Sequence, residues 1–109
     1  MKTDMELLEL VAKEDNLEIR FIDHADGSIG GPFVSNSGWN PLAYNNDSYA
    51  LMCSRSVSVV FREDAHVVEA TYKQRMAREA YGSHGKERAT RRAIVRAVAN
   101  DAMLVTKVA

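Results

Sequence analysis

Cysteine is nearly absent from this sequence of 109 residues, in which Cys53 is the single one. One cysteine excludes an internal disulfide and every zinc site that is built from several cysteines. Cys53 follows Leu51 and Met52, and this apolar setting favours a small buried hydrophobe over a catalytic nucleophile. An apolar core must therefore stabilise the fold, and 46% hydrophobic residues in a chain of this length predict a single domain over residues 1–109.

Long apolar runs are also missing. No segment approaches the roughly 20 apolar residues that are needed to cross a bilayer. The first residues, Met1–Asp4, lack the basic and then apolar pattern of a signal peptide. We therefore expect a cytoplasmic protein with no membrane partner.

Net charge is small, −1, but the charges are unevenly distributed along the chain. Residues 1–30 hold eight acids and three bases, whereas residues 62–109 hold ten bases and six acids. Such a split can steer a partner or favour head-to-tail self-association, so a homo-oligomer stays open. The interpretation that we prefer is that the two ends neutralise each other across the fold.

The clearest secondary-structure pattern is a hairpin of residues 56–61 and 66–73, with a turn at 62–65. Apolar side chains alternate along both strands, so one face is predicted to be dry and the other mostly wet. The predicted dry face holds Val57, Val59, Phe61, Val68, Ala70 and Tyr72. Because an isolated hairpin is marginally stable in water, helices must cover this face.

Helices are predicted on both sides of the hairpin. Thr3 and Glu6 form a capping-box pattern at the start of a first helix over Asp4–Lys13. A short helix is expected over residues 46–54. Alanine and aliphatic residues at spacings of three and four predict a last helix over residues 86–104.

The remaining segments carry weaker signals. Alternating apolar residues predict a strand over residues 17–22, and glycine and proline then predict a long loop over residues 23–44. Loops of this length in compact domains are often functional, although Ile29, Phe33, Val34 and Trp39 suggest that part of this one is pinned to the core or forms a short strand. Residues 74–81 are expected to form a helical turn or a mobile basic loop.

Together these elements predict an α/β fold of the α+β kind. A small antiparallel sheet of the strands at 17–22, 56–61 and 66–73 is expected to pack against the first and last helices. The helix at 46–54 is expected on the opposite face or at an edge of the sheet. Ile94 is expected in the core, where an aspartate would unfold the domain.

The candidate binding residues are mainly arginines of the last helix. Arg88, Arg92 and Arg96 share one stripe at spacings of four, with Arg91 beside it. Guanidinium groups suit phosphates and acidic protein surfaces equally, so nucleic acid is one candidate partner. However, the sequence pI of about 6.3 lies well below the value above about 9 that is typical of dedicated nucleic-acid binders. Trp39 is the further candidate binding residue.

Catalytic and metal-binding patterns are not recognisable. His24, His66 and His84 lie far apart and form no pair with the spacing of metal ligands. The group Asp23, His24 and Asp26 resembles an acid–base cluster but is equally typical of a turn. We therefore expect no catalytic residue, no metal and no cofactor, and a protein that binds rather than reacts.

Four short motifs resemble those of small phage-encoded proteins. They are Gly38–Leu42, Asn46–Leu51, His84–Gly85 and Arg88–Ala97, within roughly residues 38 to 100. Together they resemble the phage ABA sandwich family, of the type encoded in the Nin region of lambda-like phages. The resemblance implies an α-β-α sandwich, a phage or prophage origin in a bacterial host cell, and no established enzymatic activity.

Three functional hypotheses follow, in order of preference. The first is a phage accessory protein that binds a host protein, for example to inhibit a host-defence system such as CRISPR. The second is a nucleic-acid-binding accessory factor that uses the basic last helix. The third is an enzyme that uses the Asp23–Asp26 loop, and it requires a pocket that gathers Asp23, His24 or His66.

Overall fold

The computed structural model describes residues 2–34 and 37–104, and the structural statements below refer to these residues. Within them the helices are α1 (Asp4–Glu14), α2 (Asn45–Ser54) and α3 (Gly85–Val98). The strands are β1 (Ile19–Asp23), β2 (Ile29–Val34), β3 (Ser37–Gly38), β4 (Ser58–Arg62), β5 (Val67–Tyr72), β6 (Arg75–Ala80) and β7 (Met103–Leu104).

The strands form two antiparallel sheets, with the orders β1-β2-β3 and β4-β5-β6-β7. This arrangement confirms the predicted α+β class, with helices packed on a small antiparallel sheet. The predicted membership of that sheet is wrong in one respect. The strand expected at 17–22 is β1, and it pairs with β2 in the three-stranded sheet instead of joining the hairpin of β4 and β5.

The segment predicted as a long loop over residues 23–44 contains the strands β2 and β3, so the alternative that part of it forms a short strand is confirmed. Gly30, Gly31 and Pro32 give β2 the composition of a loop. Gly31 nevertheless suits this pairing, because its φ is +113° and a Cβ atom there would stand 2.8 Å from the carbonyl oxygen of Arg20. The glycine that suggests a loop therefore permits the close approach of β1 and β2.

The prediction of a helical turn or mobile loop at 74–81 is wrong, because β6 occupies residues 75–80. Lys73 and Gln74 form the tight turn before it, and Lys73 takes a φ of +57° without being a glycine or an asparagine. The usual residue signal for such a turn is therefore absent from the sequence. Ala77 of β6 is buried opposite Ala70 of β5, so packing determines the strand.

Helix α3 is shorter than predicted and ends at Val98 rather than Leu104. Asn100 adopts a left-handed φ of +72°, and the amide of Asp101 donates a hydrogen bond to the carbonyl of Arg96 at 3.0 Å. This is the hydrogen bond of a Schellman-type helix end, for which asparagine is one of the suitable residues. The chain then turns back, and β7 pairs with β6.

The other two helices agree with the sequence. Thr3 and Glu6 make both hydrogen bonds of the capping box at the start of α1, as predicted. Helix α2 begins one residue before the expected start and ends at the expected residue, Ser54. The capping box is therefore sufficient to place the start of α1, whereas α2 begins without a side-chain cap hydrogen bond.

The core lies between α3 and the inner face of the four-stranded sheet. Helix α3 contacts β5 and β6, and α1 and α2 both contact α3. Three alanines of α3, Ala89, Ala93 and Ala97, are buried and allow the helix to approach closely. The predicted core position of Ile94 is confirmed, since its side chain is buried.

Three burial predictions differ from the structure. Phe61, expected on the dry face, is 43% exposed and lines a cavity beside α2 and α3. Glu69, expected to be solvated, is only 6% exposed. Cys53, expected to be a small buried hydrophobe, is exposed on α2.

Among the described residues, none of the helices has both the length and the apolar character that crossing a membrane requires.

Candidate protein-binding groove

A cavity of about 360 Å³ lies between α2, the start of α3 and the end of β4. We call it the α2–α3 groove. Its apolar lining comes from Tyr49 and Met52 of α2, Phe61 of β4 and Ile94 of α3. Asn45, Lys86, Glu87 and Arg91 add polar groups to the lining. The groove thus combines an apolar surface with groups that can form hydrogen bonds.

The apolar side of the groove exists because α2 buries little of its own surface. Ser48 and Leu51 are its buried residues, while Tyr49 is 63% exposed. Ser48 is small and lines the groove beside Tyr49, so the space next to it stays unfilled. A large exposed aromatic beside an unfilled cavity is typical of a surface that receives another molecule.

Arg91 holds one wall of the groove in place. Its Nε donates a hydrogen bond to the carbonyl of Leu42 at 2.8 Å, and a terminal nitrogen donates to Oδ1 of Asn45 at 2.7 Å. The carboxylate of Asp47 accepts a hydrogen bond from the amide of Asn40 at 2.9 Å. The Arg91 bonds fasten α2 and the segment before it to α3, and the Asp47 bond joins that segment to α2, so the groove is preformed.

Lys86 lines the groove and is paired with Glu63, which lies outside its lining. Their side chains form an ion pair, and Nζ of Lys86 lies 4.5 Å from the ring centroid of Phe61. The Lys86 ammonium lowers the pKa of the Glu63 carboxyl, and Glu63 in turn raises the pKa of Lys86. Both groups therefore stay charged near neutral pH, and the cation–π contact orients Phe61.

Tyr49 and Cys53 are neighbours on the exposed side of α2. A hydrogen bond with the Cys53 side chain raises the pKa of Tyr49 above its ordinary value. Like any tyrosine hydroxyl it is protonated at neutral pH, so it can donate a hydrogen bond at the mouth of the groove.

Two of the candidate arginines, Arg92 and Arg96, are engaged within the protein. Arg92 donates a hydrogen bond to Oδ1 of Asp4 at 2.7 Å, and its Nε lies 3.6 Å from Oε1 of Glu79. Arg96 pairs with Glu79 and also lies 3.5 Å from Oδ2 of Asp101. The Arg92–Asp4 pair joins the acidic start of the chain to its basic end, in agreement with the preferred interpretation of the charge distribution, whereas the pairs with Glu79 and Asp101 lie within residues 62–109.

Arg88 differs from the rest of the stripe. Its side chain is exposed, and no hydrogen bond or ion pair holds it within residues 2–34 and 37–104. Together with Arg91 and Arg92 it lines a second cavity of about 340 Å³, in which Asp4 is also present. Of the four candidate arginines, Arg88 is thus the one whose guanidinium remains available to another molecule.

Trp39 lies apart from this cluster. Its side chain is half-buried against the core, and its amide donates a hydrogen bond to the carbonyl of Pro32 at 2.9 Å. The expectation that Trp39 pins part of the 23–44 segment to the core agrees with this position. It does not line the α2–α3 groove.

The residues of the enzyme hypothesis are dispersed. Asp23, His24 and Asp26 are all exposed, and Asp26 accepts hydrogen bonds from the amide of Ser28 at 2.9 Å and from its hydroxyl at 2.6 Å. These bonds lower the pKa of Asp26 and have the geometry of a turn. His66 lies in the β4–β5 turn, where its ring is 5.9 Å from that of Tyr81.

Metal binding finds no support in the described part of the chain. No group of three or more histidine, cysteine, aspartate and glutamate side chains there is arranged to hold a metal ion.

Sequence patterns did not identify the groove residues as a site. Tyr49, Met52, Phe61 and Ile94 come from three separate elements, and they meet only because α2 packs on α3. The one local signal is a tyrosine in a helix whose buried residues are few. Such a tyrosine has no core position to fill, so its exposure can be anticipated once the buried residues are known.

Comparisons with protein-family models, with curated proteins and with solved structures gave no match for this chain.

Proposed function

We propose that this protein acts by binding another protein through the α2–α3 groove. The observation that carries the proposal is the exposed pair Tyr49 and Phe61 beside a preformed apolar cavity of about 360 Å³. Aromatic residues, methionine and arginine are the residue types that are enriched at protein interfaces. All three types line this groove.

The expected ligand is a segment of a partner that inserts an apolar side chain between α2 and α3. Met52 supports such insertion because its unbranched thioether adapts to the shape of the inserted group. Asn45 and Glu87 at the rim offer an amide and a carboxylate to the polar groups of the same segment. A mixed rim around an apolar centre is the usual arrangement of a specific interface.

The biological setting that we propose is that of a small phage or prophage accessory protein in a bacterial cell. Its partner is a host protein, and inhibition of a host-defence system such as CRISPR is the favoured role. The support for this setting is the resemblance of the four sequence motifs to phage ABA sandwich proteins. The groove supports the binding step and is independent of that resemblance.

The test is co-purification from a bacterial host lysate with matched tyrosine variants. Tyr49 is 63% exposed and lines the groove, whereas Tyr44 is 54% exposed and does not line it. Wild type and Tyr44→Ala should retain one stoichiometric partner. Tyr49→Ala should lose affinity by about 30-fold or more, the effect of removing an interface hot spot.

Two outcomes would contradict the proposal. One is the absence of any stoichiometric partner for wild type. The other is that the Tyr49→Ala and Tyr44→Ala variants retain equal amounts of the partner. A partner that binds at another surface would be affected by neither substitution. Circular dichroism of the variants checks that each one is folded.

Nucleic-acid binding is the alternative proposal, and Arg88 is the residue that favours it. Its exposed guanidinium is free to contact a phosphate. Binding of this kind would be weak, because Arg92 and Arg96 could contact phosphates only after breaking their ion pairs with Asp4, Glu79 and Asp101.

A further inference from the structure

Strand β4 is an outer strand whose free side is open. It pairs with β5 on one side and, among the described residues, with no strand on the other. All of its residues except Val59 are exposed. Its unpaired backbone amides and carbonyls are therefore accessible to another strand.

Within the described residues, the other outer strands are shorter than β4 or carry more charge. Strands β3 and β7 have two described residues each, and β1 carries two charged residues, Arg20 and Asp23. Short length and charge are common means by which proteins prevent edge-to-edge pairing. Strand β4 carries one charged residue, Arg62 at its end, and Ser58–Phe61 has no charged residue and no proline.

Exposed apolar side chains lie on both faces of this edge. Val60 is 43% exposed on the face that also carries Glu69, and Phe61 is 43% exposed on the opposite face. A second strand beside β4 would cover both side chains at once. Neither a helix nor a small ligand on one face of the sheet would do so.

We propose that β4 pairs antiparallel with β4 of a second copy of this chain, about a two-fold axis, and joins the two four-stranded sheets into one. A second copy fits because the strand is complementary to itself, with apolar or small side chains at successive positions. Two-fold pairing of identical patches is the commonest form of protein self-association. The net charge of −1 per chain opposes this association only weakly.

The charges at the ends of the strand are compatible with this pairing. In a register centred on Val60, Arg62 of one copy faces Ser58 of the other. The two Arg62 positions are then about 13 Å apart along the strands, since each residue advances the chain by roughly 3.3 Å. Each Arg62 also donates a hydrogen bond to Glu69 of its own sheet at 3.1 Å, which reduces repulsion between the copies.

The dimer is expected to be reversible, because a strand of five residues gives a small interface. Sedimentation of the full chain over about 1 μM to 1 mM covers the corresponding range of affinities. Wild type should change from monomer to dimer as its concentration rises within this range. A monomer at every concentration would overturn the proposal.

A matched pair of variants tests the location of the interface. Val60 is 43% exposed and Ile22 is 42% exposed, and both are aliphatic residues on outer strands of different sheets. Val60→Lys should raise the dissociation constant at least tenfold, because it places a charge at the centre of the pairing. Ile22→Lys should leave it unchanged, and the reverse pattern would overturn the proposal.

Hydrogen exchange of the wild-type protein provides a second measurement that needs no variant. Outward-facing amides of β4 should exchange more slowly at high than at low concentration, while the amides of β1 should not respond. Equal exchange of the β4 amides at both concentrations would also overturn the proposal. This test does not depend on partner binding, so its failure leaves the proposed function untouched.

Discussion

Glu69 accepts a hydrogen bond from Nε of Arg78 at 2.9 Å, in the middle of the four-stranded sheet. Its other oxygen accepts one from Nε of Arg62 at 3.1 Å. Val68 and Ala70 on either side of Glu69 are buried, so the carboxylate lies on the face away from α3. The side chains of Arg62 and Arg78 thus cover this carboxylate on the face of the sheet opposite α3.

Replacement of this carboxylate should destabilise the protein. Glu69→Gln keeps the shape of the side chain but removes the charge between Arg62 and Arg78, and should cost about 1–3 kcal/mol of unfolding free energy. Urea denaturation at neutral pH measures the difference. Glu63→Gln is the control, because Glu63 is exposed and should cost less. Equal losses in the two variants would contradict this account.

The contribution of Glu69 should also depend on pH. The arginines hold its pKa below the ordinary value, with the hydrogen bond from Arg78 as the largest cause. Its stabilisation is therefore complete above the unfolded pKa of about 4.3, and is lost as the pH falls through the folded pKa. The difference between wild type and Glu69→Gln should be constant near neutrality and shrink below about pH 4. A difference that grows in acid would be inconsistent with a lowered pKa.

Ile94→Asp should unfold the domain. Ile94 of α3 is buried in the core, and an unpaired carboxylate there costs several kcal/mol or must be neutralised. Thermal melting followed by circular dichroism measures the effect. Ile94→Val, which removes one methylene group, should remain folded with a loss of about 0.5–1.5 kcal/mol. An Ile94→Asp protein that melts like wild type would show that α3 is placed wrongly.

Removal of the Cys53 thiol should lower the pKa of Tyr49 towards the ordinary value of about 10. The hydrogen bond between these side chains is the main cause of the raised value. NMR titration of the tyrosine ring signals in Cys53→Ala measures the change. Tyr81 is the internal control, because burial is the main reason that its pKa is raised. An unchanged titration of Tyr49 would show that the two side chains do not interact in solution.

Duplex DNA should not be retained in a gel shift at about 150 mM salt. Arg88 is the one arginine of the stripe that has no partner among residues 2–34 and 37–104, so any binding at lower salt should have a log–log slope near −0.9. Three phosphate contacts would give a slope near −2.7 instead. Arg88→Ala should abolish low-salt retention and Arg92→Ala should not. Retention at about 150 mM salt that Arg92→Ala abolishes would support the nucleic-acid alternative.

Elements with local signals could be predicted from the sequence. The capping box of Thr3 and Glu6 and the alternation along β4 and β5 depend on residues close together in the chain. Strand β6 could not be predicted, because Lys73 forms its turn without glycine or asparagine. Its residues become a strand through pairing with β5 and packing beneath α3.

The candidate site was less predictable than the fold. The sequence predicts that Arg92 lies on an exposed stripe of the last helix. In the structure it forms an ion pair with Asp4, which is 88 positions away in the chain. No local pattern reveals such an ion pair, so an arginine held by the fold has the same sequence signature as one that binds a ligand. The groove residues likewise become neighbours only through the packing of α2 on α3.

The separation between Asp4 and Arg92 also matters while the chain is being synthesised. Leu7 and Val11 of α1 are fully buried in the finished protein, and α1 rests on α3. At roughly 5–20 residues per second, the ribosome completes the α3 side of this contact about 4–18 seconds after the α1 side. During that interval the apolar stripe of α1 is uncovered, which exposes the nascent chain to chaperones. A strongly apolar mutation on α1 would therefore be expected to lower the yield of protein before it affects the stability of the folded state.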